Sequence, residues 1–101
     1  MKVLIVGGGG REHALGWALH REDPAVQLSA APGNPGLAAL STLLPIPADD
    51  IDRLTEAAVS GGFDLTVIGP EVPLALGLAD RLRARGQLVF GPSAAAAALE
   101  A

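Results

Sequence analysis

Residues 3–6 read Val-Leu-Ile-Val and run straight into four consecutive glycines at 7–10. A strand points its side chains alternately to two faces, so an all-apolar run needs cover on both. Parallel sheets lying between helix layers provide that cover, and their strands carry this pattern. Behind the glycines, Ala14, Leu15, Ala18 and Leu19 fall at i, i+1, i+4 and i+5. That spacing predicts a helix over residues 10–22, with Pro24 limiting its end. The chain therefore opens as strand, glycine turn and helix.

The same alternation continues. Residues 26–30 read as a second strand, stopped by the turn signal Pro32-Gly33-Asn34-Pro35-Gly36. A short third strand is expected at 43–46. Asp49 then looks like the N-cap of a helix whose one face carries Ile51, Leu54 and Ala58, and Gly61-Gly62 ends it. Residues 63–68 form the next strand, ending at Gly69-Pro70-Glu71. Pro73 suits the first turn of a further helix with the stripe Leu74, Leu78 and Leu82, and Gly86 is its natural stop. Arg81, Arg83 and Arg85 read as a solvated face complementing that helix's dipole. Residues 88–90 are a last strand, and Ser93 caps an alanine-rich helix across 94–98. Strand alternating with helix in this way implies an α/β fold: a parallel doubly wound sheet of four or five strands with flanking helices. With 101 residues, no internal repeat and no linker, one domain spanning 1–101 is expected.

Composition removes several functions. Half the residues are apolar, yet no stretch approaches the ~20 uncharged apolar residues of a membrane span. The glycines interrupt the first apolar run after four positions, which leaves no room for a signal peptide. The absence of cysteine excludes disulfides, thiolate metal sites and a Cys nucleophile. A net charge of −4 has the wrong sign for a general nucleic-acid binder. With only Trp17, Phe63 and Phe90 as aromatics, a base-stacking platform is not expected either. What remains is a soluble, acidic, cytoplasmic domain.

In open α/β sheets ligands bind beyond the carboxyl ends of the strands. The loops leaving those ends, 7–11, 31–36, 69–73 and 91–93, are all rich in Gly and Pro. Of these, Gly7-Gly8-Gly9-Gly10 offers unobstructed backbone N–H groups at the positive end of a helix dipole, which favours phosphate. Arg11 can add a charge-assisted bond to the same anion. A dinucleotide site would need Gly-x-Gly-x-x-Gly and an acidic residue after the second strand. Gly7 and Gly9 match, but Glu12 stands at the third position and the second strand ends Leu28-Ser29-Ala30-Ala31-Pro32. A P-loop fails because no Gly-Lys-Ser/Thr follows. A small phosphorylated metabolite fits what is left, with a free-standing nucleotide- or dinucleotide-binding module as the alternative. Glu71 faces the same mouth, and its position suits equally a helix N-terminal carboxylate or an acceptor for sugar hydroxyls or an amine; Asn34 is by default a turn residue, with contact to the same sugar as the alternative. His13 and His20 share a helix face but lack a third ligand, so no metal site is expected; Trp17 between them suits partial core or a partner surface.

Four stretches, GGREHA at 9–14, APGNPG at 31–36, DLTVIGPEVPLALGLAD at 64–80 and VFGPSAAAAALE at 89–100, together carry a resemblance. The chain resembles the N-terminal domain of the phosphoribosylamine–glycine ligases, also called glycinamide ribonucleotide synthetases, of the ATP-grasp group. That resemblance implies a Rossmann-like, pre-ATP-grasp fold and a role in purine biosynthesis. ATP with magnesium would activate glycine as an acyl phosphate, which the amine of 5-phosphoribosylamine then attacks. It further implies that Gly8, Gly9, Gly10 and Arg11 take the 5-phosphate, while Asn34, Pro70 and Glu71 face the ribose and amine. No catalytic residue is assigned to this chain. Gly8 stands where the family often has Ser, and Ala94 where Lys is common. The ATP-grasp and C-terminal domains, which would bind ATP and magnesium, have no counterpart within these residues. The expectation is of a fragment or cut domain that binds no cofactor alone, lacks ligase activity and depends on the remaining domains of the enzyme.

Overall fold

The computed structural model describes residues 1–69 and 77–90. Strands β1 (Lys2–Gly7), β2 (Gln27–Pro32), β3 (Thr42–Leu43), β4 (Leu65–Ile68) and β5 (Val89–Phe90) form one sheet in the order β3-β2-β1-β4-β5. Every pairing in it is parallel. The described helices are α1 (Gly10–Glu22), α2 (Pro35–Ala38), α3 (Ile51–Ser60) and α4 (Leu78–Ala84). The doubly wound parallel sheet expected from the alternation is the fold.

The central strand explains the opening run of the sequence. Val3 and Ile5 are fully buried with Leu28, Ala30, Leu37 and Val67, and Leu15 and Leu19 of α1 pack on that cluster. Leu4 and Val6 point the other way, into Leu54 and Ala58 of α3, Ile68, and Leu78 and Leu82 of α4. Both faces of β1 are thus core. At about 25 cal/mol per Å² of apolar area removed from water, residues buried from both sides dominate the stabilisation of so small a domain.

Several boundaries differ from the sequence reading. Strand β3 covers 42–43 rather than 43–46: Leu44 N–H still donates to Ala30 O at 2.8 Å, but the chain then turns and buries Ile46 in the α3 cluster. The turn at 32–36 runs into α2, which was not expected. Asn34 caps it, its side chain accepting from Leu37 N at 2.9 Å, and Pro35 supplies the first-turn proline. The cap of α3 is Asp50, not Asp49; its carboxylate accepts from Arg53 N at 3.2 Å. Strand β4 starts at Leu65 instead of residue 63, because Asp64 turns its carboxylate to the Lys2 N–H at 2.8 Å.

The arginines of α4 also do more than face solvent. Arg81 pairs with Asp52 and Arg85 with Glu56 at 3.5 Å, so two rungs cross from α4 to α3. Gly62 and Gly86, with φ of +67° and +76°, end α3 and α4 as the glycine signals implied. Pro73, Leu74 and the alanine-rich segment beginning at Gly91 lie outside the described residues. Among the described residues, no helix is long and apolar enough to cross a membrane.

Candidate anion site at the ends of the central strands

Strands β1 and β4 are neighbours at the centre of the sheet, but the chain leaves them for different sides. From β1 it enters α1, which packs on the Val3 and Ile5 face; α4 packs on the Leu4 and Val6 face. This is the topological switch point, where an open α/β sheet has its crevice. The glycine run stands directly on it.

Two glycines make the local backbone possible. Gly7 has φ +134° and Gly33 φ +76°, both in the region that L side chains avoid, and Gly33 N–H donates to Gly7 O at 3.0 Å. Gly8 is needed for a different reason. A Cβ there would lie 2.6 Å from Gly33 O, so the loop after β1 and the turn after β2 meet backbone against backbone. Gly8 therefore lacks more than the hydroxyl that a serine would bring; a serine would require the Gly33 carbonyl to move.

Two side chains then lock the loop. Asn34 donates from Nδ2 to Gly8 O at 2.9 Å and Gly9 O at 3.1 Å, while its Oδ1 caps α2. Glu12 reaches back from the first turn of α1, and its Oε1 accepts the Gly9 N–H at 3.3 Å. Glu12 is only 6% exposed. Its carboxyl lies between the ends of β1 and β4: a Cβ on Gly7 would meet its Oε1, and one on Gly69 would lie 2.8 Å from its Cδ. The carbonyls of Gly8 and Gly9 are thus held by Asn34 and the Gly9 N–H by Glu12. The first-turn N–H groups of Gly10, Arg11 and Glu12 have no intrahelical acceptor, and they sit at the positive end of a 13-residue helix. Such an arrangement suits a phosphoryl group.

Arg11 lies at the rim. Its Nη1 donates to Gly69 O at 3.3 Å, so the guanidinium spans the crevice from α1 to the end of β4. Of the residues singled out from the sequence, Gly8, Gly9, Gly10, Arg11 and Asn34 converge at this point. Pro70 and Glu71 lie outside the described residues. His13 packs on the Gly36 backbone, where a Cβ would lie 2.7 Å from its Nδ1, and His20 is exposed. Trp17 is half-exposed under the Arg21 guanidinium, 5.1 Å from the ring centroid. Among the described residues, no group of three His, Cys, Asp or Glu side chains comes together to hold a metal ion. Sequence reasoning missed the part played by Glu12, although an acidic residue three positions after a helix cap is a recognisable signal for a side chain that folds back on the cap.

Residues 1–100 match the family described as phosphoribosylglycinamide synthetase, N domain. A phosphoribosylamine–glycine ligase of Brucella melitensis is 53% identical over 99% of the chain and 23% of its own length. One from a Nostoc strain is 48% identical over 100% of the chain and 24% of its own length. The crystal structure of phosphoribosylamine–glycine ligase from Thermotoga maritima superposes with TM-score 0.61 at 28% identity, covering 93% of this chain and 20% of that one. The chain thus spans about a quarter of the length of the curated relatives it matches. It belongs to the family of phosphoribosylglycinamide synthetase N domains.

Proposed function

We propose that residues 1–101 are the phosphoribosylamine-binding domain of a ligase that joins glycine to 5-phosphoribosylamine with hydrolysis of ATP to ADP and phosphate, in purine biosynthesis. The observation that carries this reading is the locked glycine loop at the switch point of a chain whose family match runs over residues 1–100. In it, Gly8, Gly9, Gly10 and Arg11 form the seat for the 5-phosphate, with donors from the start of α1 and charge from the Arg11 guanidinium. Both Nδ2 donors of Asn34 serve the loop, so it would meet the ribose through the remaining lone pair of Oδ1. Pro70 and Glu71 complete the ribose and amine side, the carboxylate of Glu71 accepting from the substrate amine.

On this reading ATP and magnesium bind outside these residues, in the part of the relatives' length that the chain does not span. The chain's own contribution is to anchor and orient the phosphoribosyl substrate, and it completes a catalytic unit only with the remaining domains of the enzyme. A cytoplasmic setting follows from the pathway. Neither nucleic acid nor membrane has a role in it.

The test is a titration of the 101-residue chain with ribose 5-phosphate, followed through backbone amide shifts. The amides of Gly10, Arg11 and Glu71 should move in a saturable way, and inorganic phosphate should compete. A saturable response elsewhere on the molecule, or none in a folded sample, refutes the assignment.

A further inference from the structure

The dinucleotide-binding fingerprint places a glycine at the position that Glu12 occupies here. That glycine lets the helix approach the strand, while the second, here Gly9, lets the pyrophosphate reach the backbone. The fold supplies the frame of such a site: a parallel sheet, a switch point, Gly7 and Gly9 in register, and a helix start aimed at the crevice, although no acidic residue follows β2 to take a ribose diol. Within the phosphate loop itself, Glu12 is where the two designs part.

We propose that Glu12 is the specificity-determining residue of the loop, restricting it to a single phosphoryl group and barring the diphosphate of a dinucleotide. Three observations carry this. The side chain fills the gap between the strand ends, in contact with the positions where Gly7 and Gly69 have no Cβ. Its Oε1 takes the N–H of Gly9, the glycine at which the fingerprint lets a pyrophosphate approach the backbone. And Glu12 is buried, so it cannot swing into solvent without breaking that bond and opening the space behind the loop. The donors left over belong to the first turn of α1, which is enough for one phosphoryl group. Charge is not the basis of the selection, because ribose 5-phosphate and a diphosphate ester carry similar negative charge at neutral pH. Space and donor supply are.

The inference rests on the phosphoribosylamine reading only for its choice of monophosphate. Ribose 5-phosphate and ADP-ribose share the sugar phosphate and differ in the second phosphoryl group with its nucleoside. Both would be titrated into the wild-type chain and into E12A, E12G and E12Q, with circular dichroism confirming the fold. In E12A and E12G, ADP-ribose should bind more tightly than to wild type, and the ratio of ADP-ribose to ribose 5-phosphate affinity should rise at least tenfold. E12Q keeps the shape and an acceptor for the Gly9 N–H, so it should retain the wild-type preference. If E12G does not fold, E12A carries the test, since alanine favours the helix. Unchanged ADP-ribose binding in a folded E12A, or a gain in E12Q as large as in E12A, overturns the proposal. Failure of the wild type to bind ribose 5-phosphate would sink the substrate reading instead, and the E12A comparison would still decide the role of Glu12.

Discussion

Removing the Asn34 side chain should loosen the loop and the short helix α2 together, because one amide serves both. In N34A three bonds are lost: Leu37 N–H to Oδ1 at 2.9 Å, and Nδ2 to Gly8 O and Gly9 O at 2.9 and 3.1 Å. Loss of an N-cap side chain costs about 1 kcal/mol. Each of the other two bonds contributes about 0.5–1 kcal/mol at a site that water can partly reach. The expected destabilisation is therefore about 2–3 kcal/mol, which for a domain near this size lowers Tm by roughly 10–20 °C. N34D separates the two roles. An aspartate still caps α2 but has no donor for the loop, and its charge faces two carbonyl oxygens. It should recover about 1 kcal/mol over N34A, the value of the cap alone, and remain below wild type. Urea denaturation gives the three stabilities, and ribose 5-phosphate titration should show both variants binding more weakly than wild type. If N34D matches wild type in stability and binding, Asn34 is only a helix cap and the account of the locked loop is wrong.

Two further outcomes test the frame that carries the site. Thr66 is fully buried in β4, and its Oγ1 has no hydrogen-bond partner among the described residues, so T66V, which replaces a desolvated hydroxyl by a methyl of similar size, should stabilise the chain by about 1 kcal/mol in urea denaturation. A loss of stability there would mean that the hydroxyl is satisfied in solution. The Arg81–Asp52 pair links α4 to α3, but Asp52 is 87% exposed, so a double-mutant cycle with R81A and D52A should give a coupling of at most about 1 kcal/mol. That coupling should shrink when salt is raised toward 1 M, and a larger, salt-insensitive value would show a pair shielded from solvent.

The fold was legible because its main signal was one of burial. Four apolar residues in succession at 3–6 admit few structures, and the observed two-faced core of β1 is what that pattern requires. Helix α1 was placed at its observed bounds because the glycines and Pro24 mark both ends. Short elements fared worse for a physical reason. Helix α2 has one turn and no periodicity to read, and its existence depends on Asn34 and Pro35 acting as cap and first-turn proline inside what otherwise looks like a plain turn. The choice between Asp49 and Asp50 as the cap of α3 turns on backbone angles that two adjacent aspartates do not betray.

At the site, the residues that offer backbone donors were visible and the residues that aim them were not. A run of glycines announces an accessible backbone, but it leaves open which of its N–H and C=O groups face outward. Here that is decided by two side chains from different elements: Asn34 draws in the carbonyls of Gly8 and Gly9, and Glu12 draws in the Gly9 N–H. Asn34 is separated from Gly8 by 26 residues, so its reach to the loop follows from the pairing of β2 beside β1 and from nothing local. Glu12 is only three residues from Gly9, yet an acidic residue near a presumed phosphate reads first as a misfit. Its burial resolves the conflict: the carboxylate serves the loop from behind, and the donors that remain in front are those of the helix start. An anion site of this kind is therefore defined as much by the groups that are turned away from the ligand as by those that face it.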